Sequence, residues 1–436
     1  METLNRKIIY SLVLVPFIFS CFITTIITPP FEAPDENHHL DFINYFSSNL
    51  ALPDQSNEST RVDGEGHQNP LYYMLTGVFV RLVVSNNKID FLLSPNEKHI
   101  WHGGTEWATT VFDHSKIIFI NNEKILFHIL RGFSVLFSVI TLLFLLKTTY
   151  LFTSDLKISL ITVLLISTLP QFIFISSVVN NDSFVIMFIT MSFYYLLKYL
   201  KNGRKKNNLY IAVFIYVLAF YTKLYSAGLI FIFLLFLLID EREQKLSKDN
   251  IKQVALVSLA IIILISPWFI RNFVIYDSFL GNQSFIHGNK TIFDLNLSEI
   301  FSQILFLGTS FIGRFGWGNI SLHLYHYLLY LFIASIVVYF TFASKEDKAK
   351  VYVNLSFVGI IIVFLQMVYY GTIDLQFQGR YIFPALIFIV VIITVSLNSL
   401  VHSIPLMQKY SVIIGVLFLL YSQNIIALIT LWLGYN

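Results

Sequence analysis

The chain has 436 residues, of which 56% are hydrophobic, 17% aromatic and 13% charged, with a formal net charge of +3. A soluble domain carries about 25% charged residues to cover its surface. This composition therefore excludes an ordinary soluble enzyme, a disordered chain and, with Cys21 as the lone cysteine, a disulfide scaffold. The small net charge also gives nucleic acid no electrostatic reason to bind.

Apolar residues fall in runs of about 20, the length that spans a bilayer core. The chain reads as an all-α membrane protein with about eleven transmembrane helices. They are expected near 8–28, 125–146, 158–178, 183–200, 209–222, 224–240, 252–270, 322–343, 351–370, 381–400 and 411–433. Arg6 and Lys7 precede the first run, which is long for a signal peptide and reads as a retained anchor. Basic residues recur in alternate links: Lys147 and Lys157, Lys198 to Lys206, Arg242 to Lys252, Lys345 to Lys350, and Lys409. Short basic links stay cytoplasmic, so the N-terminus is expected inside and the C-terminus outside. The stretch from Leu209 to Ile239 is too long for one span. A single helix there would put Lys345, Lys348 and Lys350 outside, so a hairpin with Lys223 at its outer turn is expected.

Two outer segments remain, 29–124 and 271–321, within one membrane domain covering 1–436. The runs 70–84 and 298–312 are apolar but only about 15 residues long, and are expected to lie in the interface or re-enter. Gly313 to Gly318 reads as a flexible interfacial turn.

Chemistry concentrates in the outer segments. Pro29-Pro30-Phe31-Glu32-Ala33-Pro34-Asp35-Glu36-Asn37-His38-His39 directly follows the first span. The prolines stop that helix, and a new helix is expected from Glu36 to Asn49. Asp35 and Glu36 either cap it and favour its dipole or supply a carboxylate base for an acceptor hydroxyl. No cofactor is called for. Asp35 and His39, one helical turn apart, are the pair a divalent metal would use, although solvated histidines explain the pattern as well. Glu65-Gly66-His67-Gln68-Asn69-Pro70-Leu71-Tyr72-Tyr73 leads a polar turn into a proline-started interfacial helix. Lys223, Arg271 and Arg380 sit at the outer ends of separate helices. Each alone reads as a snorkelling anchor; together they could hold a lipid phosphate. Asp182, after Asn180-Asn181, either caps the next helix or adds a second acid.

These motifs, in this order, resemble a branch of the GT-C glycosyltransferase superfamily. The resemblance rests on Pro-Pro-x-x-x-Pro-Asp35-Glu36-x-x-His39, His67-Gln68-x-Pro70-Leu71-Tyr72-Tyr73, Asn181-Asp182, Thr222-Lys223, Pro267-Trp268-x-x-Arg271-Asn272, Gly313-Arg314-Phe315-Gly316-Trp317 and Gln378-Gly379-Arg380-Tyr381. It covers roughly residues 1–400. It implies an integral membrane enzyme of the extracytoplasmic side that takes a sugar from a polyprenyl-phosphate or polyprenyl-diphosphate carrier, usually with inversion. Its partners would be that donor, a glycan or lipid acceptor and membrane lipids. The base falls on Asp35, with Glu36 as the next candidate. The donor phosphate falls to Lys223, Arg271 and Arg380. Asp182, Glu65, His67, His39 and Tyr72 become acceptor-side or secondary positions. Asn69 departs from the commoner paired-proline form.

Other classes remain in view: a polysaccharide polymerase or ligase with the same donor, a transporter or flippase, and a scaffold. Transporters commonly show internal repeats and paired broken helices. Here one apolar stretch is interrupted, at Lys223, and the acids gather outside. Usage rich in Lys, Asn, Ile and Phe suggests a bacterial cell membrane.

Overall fold

A computed structural model describes residues 2–99, 110–119, 123–238, 248–281, 291–343, 347–375, 377–403 and 406–435. Arg242, Lys245 and Lys345 of the basic links lie outside the described residues. Each expected apolar run is helical. Helix α1 (Glu2–Ile27) stops before Pro29-Pro30, and α2 (Glu36–Asn49) pairs with α3 (Leu71–Val83). Then come α4 (Lys124–Thr153), α5 (Leu156–Ser167), α6 (Pro170–Ile175), α7 (Asp182–Lys201), α8 (Lys206–Thr222), α9 (Leu229–Leu238) and α10 (Lys248–Tyr276). The chain continues through α11 (Leu297–Ile312), α12 (Leu324–Ala343), α13 (Asp347–Gly371), α14 (Leu386–Ser403) and α15 (Leu406–Tyr435).

Among the described residues, 8 helices are long and apolar enough to cross a membrane: α1, α4, α7, α10, α12, α13, α14 and α15. Helices α5, α8 and α9 are shorter, at 12, 17 and 10 residues. The expected helix 158–178 is two helices. Leu169 is extended and Pro170, with no amide to donate, starts α6. Helices α9 and α14 are each entered through a 3-10 turn, Leu224–Gly228 and Gly379–Ala385. Helices α3 and α11, of 13 and 16 residues, rise about 1.5 Å per residue and fall short of a core about 30 Å thick.

Helices α7 and α14 form the centre of the bundle. Phe193, Leu196, Leu386, Ile387, Phe388 and Val390 are buried there against Phe233 and Phe236 of α9. By contrast, α10 exposes Leu256, Leu259, Ile262 and Ile263, and α12 exposes Leu324, Leu328, Leu331 and Phe332. Lipid tails are as apolar as these side chains, so such rows are stable facing a bilayer. A second core lies under α2 and α3, where Phe31, Leu40, Ile43, Tyr72, Tyr73 and Phe127 pack together. Gly77 permits the close approach of these two helices, since a Cβ there would lie 3.1 Å from the Ile43 carbonyl oxygen.

The two ends of the bundle differ. One gathers the basic links: Arg204 donates to Asn250 at 2.6 Å, and Lys201 lies over Phe152 and Tyr352 at 4.3 and 5.3 Å. The other gathers the turns after α1, before α7, after α8 and before α14. There Tyr225 Oη donates to the carbonyls of Val363 and Tyr381 at 2.7 and 2.8 Å. The expected flexible turn at 313–318 is a packed hairpin, with β1 (Arg314–Phe315) paired to β2 (Ile320–Ser321). Trp317 Nε1 at its tip donates to the Phe31 carbonyl at 3.1 Å.

Candidate active site

The turn between α1 and α2 carries three carboxylates, and each turns a different way. Glu32 is fully buried and accepts from the amides of Val111 and Phe112, both at 3.0 Å, and pairs with His114 Nε2 at 2.8 Å. Glu36 is also fully buried. It meets Arg131 of α4 through two bonds, at 2.8 and 2.7 Å. Asp35 alone among the three lines a cavity at this end of the bundle.

Asp35 reaches the cavity because its backbone is left-handed, with φ of 65°. That conformation suits Asp better than most non-glycine residues. Asp35 occupies the N-cap position of α2, yet its side chain makes no capping hydrogen bond. Its Oδ2 instead accepts from Arg380 Nη2 at 2.5 Å. The capping role that the sequence allowed is not taken up.

Arg380 is held in place by its glycine neighbour. A Cβ on Gly379 would lie 2.0 Å from the Phe311 amide nitrogen, so only glycine lets this strand of chain lie on α11. The Gly379 amide donates to Ser310 Oγ at 2.8 Å. Arg380 is 4% exposed, and its Nη1 lies 3.8 Å from Asp182 Oδ2. Asp182 Oδ1 lies 2.5 Å from Lys223 Nζ, which also donates to Asn181 at 3.2 Å. The charges therefore run in the order Asp35, Arg380, Asp182, Lys223. Tyr381 lies beneath both cations, 5.2 Å from Arg380 and 5.5 Å from Lys223. The sequence read 209–239 as a hairpin with Lys223 at its turn, and Lys223 does end α8 in extended backbone.

The cavity has a volume of about 550 Å³. Besides Asp35, Lys223 and Arg380 its wall includes Glu65, His67, His39 and Arg271. Glu65 Oε2, His38 Nδ1 and Arg380 Nε are buried without a hydrogen-bond partner, so this wall has donors and acceptors to spare for a ligand. Arg271 stacks on Trp268 and Tyr276 at 5.1 and 5.7 Å and donates to the Pro53 carbonyl at 2.9 Å. Among the described residues no carboxylate pairs with it. His67 is fixed by a 2.9 Å contact between Nδ1 and the Gly64 carbonyl.

Burial opposes ionisation of Asp35, but the charge and hydrogen bond of Arg380 outweigh it, with His39 and His38 adding. The carboxyl is held below its usual range. Burial pushes His39 down, against the opposing pull of Glu65 and Asp35. Burial also pushes His67 down to about 4. Both imidazoles are neutral at pH 7.

Three sequence candidates do not line the cavity, and one of them, Asp182, still pairs with the cavity cations Lys223 and Arg380. Glu36 is sealed against Arg131, and Tyr72 packs edge-on to Tyr73 and against Phe184. The neighbour Tyr73 is the polar one: its hydroxyl contacts His39 Nδ1 at 2.9 Å and accepts from Asn181 at 3.3 Å. Arg131, Tyr73, Asn181 and Tyr381 were not singled out by role from the sequence. Of these, Arg131 carried a signal, because a charge inside an apolar run is costly and usually functional. Among the described residues no group of three or more His, Cys, Asp or Glu side chains gathers to hold a metal ion. Asp35 and Asp182 turn to Arg380 and Lys223, and His39 turns to Tyr73.

Residues 124–270 match the family described as dolichyl-phosphate-mannose-protein mannosyltransferase. The fold matches crystal structures of ArnT from Cupriavidus metallidurans in the apo state and bound to undecaprenyl phosphate. Their TM-scores are 0.54 and 0.53, each at 11% identity, over 100% of this chain and 76% of the other. The chain shares its fold with these structures. It also matches the crystal structure of the Archaeoglobus fulgidus oligosaccharyltransferase in the apo form, with TM-score 0.53 at 12% identity, over 96% of this chain and 56% of that one. No curated protein matches the chain in sequence. The 8 helices long and apolar enough to cross a membrane, with the exposed apolar rows on α10 and α12, mark a multi-pass membrane protein.

Proposed function

We propose that this chain transfers a sugar from a polyprenyl-phosphate carrier to a glycan or lipid acceptor, with inversion at the anomeric carbon. The observation that carries this reading is that Asp35, Arg380 and Lys223 line one cavity, with Asp182 pairing with both cations from outside its lining. The wall offers a carboxylate and two cations, which is what hydroxyl activation and a phosphate leaving group require. The ArnT structure with undecaprenyl phosphate supports a donor of that class. The basic links lie at the opposite end of the bundle, and short basic links stay cytoplasmic. That supports an extracytoplasmic cavity.

In this mechanism Asp35 takes the proton of the acceptor hydroxyl. The hydroxyl oxygen bonds to the anomeric carbon from the side opposite the phosphate. The bond from that carbon to the phosphate oxygen breaks, and its electron pair stays on the polyprenyl phosphate. Lys223 and Arg380 neutralise the charge that builds there, and Arg271, which pairs with no carboxylate among the described residues, can take a further anionic oxygen. The donor phosphate competes with Asp182 and Asp35 for these cations, so its arrival frees the Asp35 carboxylate to act. Glu65, His38 and His67 line the wall where sugar hydroxyls would bond.

The test uses purified protein in detergent or nanodiscs with a panel of polyprenyl-phosphate sugars. Release of polyprenyl phosphate together with a new glycosidic bond, lost in Lys223→Ala, is the expected result. Absence of both binding and release across the panel, with normal function of Lys223→Ala in cells, would overturn the reading.

A further inference from the structure

Arg131 and Glu36 are both fully buried, and neither lines the cavity. Their bonds nevertheless reach the two turns whose acids, Asp35 and Asp182, meet Arg380. Arg131 Nη1 donates to the carbonyls of Thr25 and Thr28 at 2.9 and 2.7 Å, and Nη2 donates to the Pro29 carbonyl at 3.1 Å. Its Nε and Nη2 donate to Glu36 at 2.8 and 2.7 Å. All of the guanidinium donors are thus engaged. Glu36 Oε2 also accepts from the Phe31 amide at 2.9 Å, and Oε1 from the Val179 amide at 2.8 Å.

Phe31 leads into Asp35, and Val179 leads into Asn181-Asp182. One carboxylate therefore ties the two acid-bearing turns together, and one guanidinium ties that carboxylate to the end of α1. Both turns then meet again across Arg380, through Asp35 at 2.5 Å and Asp182 at 3.8 Å. A buried pair that only filled space would serve as well with apolar residues of equal volume. This one instead satisfies five backbone groups that belong to the two turns and to the end of α1.

We infer that Glu36 and Arg131 are positioning residues that set the spacing of Asp35 and Asp182 across the Arg380 guanidinium. What the spaced acids do rests on the glycosyl-transfer reading above; the spacing itself does not. Displacement of a reacting group by about 1 Å can cost on the order of 100-fold in rate. Glu36→Asp, which keeps the charge but shortens the reach, and Arg131→Lys, which keeps the charge but loses the fork, should each lower kcat at least tenfold. The donor KM and the Kd for polyprenyl phosphate should stay within about threefold, because Lys223, Arg271 and Arg380 remain. The acid limb of the pH–rate profile should move to higher pH as Asp35 leaves Arg380.

A role confined to folding would reduce the amount of folded protein and leave kcat per folded molecule and the acid limb unchanged. That result overturns the inference. A readout free of activity separates it from the glycosyl-transfer reading. In a Cys21→Ser background, the thiol-labelling rate of Asp35→Cys should change at least tenfold when Arg131→Lys is added. An unchanged labelling rate refutes the positioning role even if the enzyme is active. A changed rate with no turnover by wild type refutes the transfer reading instead. Should both single variants fail to fold, Glu36→Gln with Arg131→Met removes both charges together, and the same readouts decide.

Discussion

Replacing Arg380 by alanine tests the electrostatics of the site most fully. Asp35 loses its contact at 2.5 Å and Asp182 loses one at 3.8 Å, while Asp182 keeps Lys223 at 2.5 Å. Removing one partner of a buried ion pair costs about 3–5 kcal/mol, because the remaining charge is left uncompensated. The Asp35 side chain retains 26% exposure, so water recovers part of the loss. The lower end, about 3 kcal/mol, is therefore expected, and if it is felt in the transition state it lowers kcat/KM on the order of 100-fold. The pH profile gives a second, signed readout. In wild type the Arg380 charge holds Asp35 below the usual carboxylate range, so the base stays ionised and activity persists until pH falls through that depressed value. In the variant burial is opposed only by the smaller pull of His39 and His38, so the Asp35 pKa rises and the acid limb moves to higher pH. Arg380→Lys should fall between, since a lysine restores the charge but not the two-pronged geometry. The assay is release of polyprenyl phosphate from a lipid-linked sugar across pH 3.5 to 8, corrected for folded protein (about pH 4 is the usual carboxylate value). Turnover of Arg380→Ala within threefold of wild type, with an unmoved acid limb, would refute the reasoning.

Four further outcomes are expected. Gly379→Ala drives a methyl to 2.0 Å from the Phe311 amide nitrogen, which is backbone and cannot rotate away, so thermal melts should show severe destabilisation or no folded protein. Tyr72→Phe removes a buried hydroxyl that has no hydrogen-bond partner and should leave melting and turnover nearly unchanged. Tyr73→Phe loses the contacts to His39 and Asn181 and should cost about 1–2 kcal/mol by the same melts. Burial lowers the His39 pKa from its ordinary value and puts the His67 transition at about 4, so the kcat profile should show no histidine inflection at the ordinary imidazole pH or above it. An inflection near 6.5 that disappears in His39→Gln or His67→Gln would contradict this.

Hydropathy and punctuation made most of the helices legible. The start of α2 at Glu36, the turn at Lys223, and the short helices α3 and α11 all follow from run length, proline and charge. The break before α6 was missed because the run 158–178 is apolar on both sides of Pro170, so hydropathy has no dip there. The assignment of roles within the first outer turn was not legible in the same way. Glu32, Asp35 and Glu36 are chemically alike, and the choice among them depends on the left-handed backbone at Asp35 and on partners as distant as Arg380, His114 and Arg131. Tyr72 and Tyr73 differ only in the face of α3 they occupy, and nothing within the motif says which face meets Asn181. Arg131 could have been found, since it is a lone charge inside the apolar stretch of α4.

The most direct test of the account is single-turnover transfer by Asp35→Asn, with donor binding measured on the same preparation. A positioned general base contributes about 10²–10⁴ in rate, so transfer should slow by at least 100-fold while polyprenyl-phosphate sugar still binds within a few-fold of wild type. Transfer by Asp35→Asn at the wild-type rate would show that Asp35 is not the base and would remove the central claim.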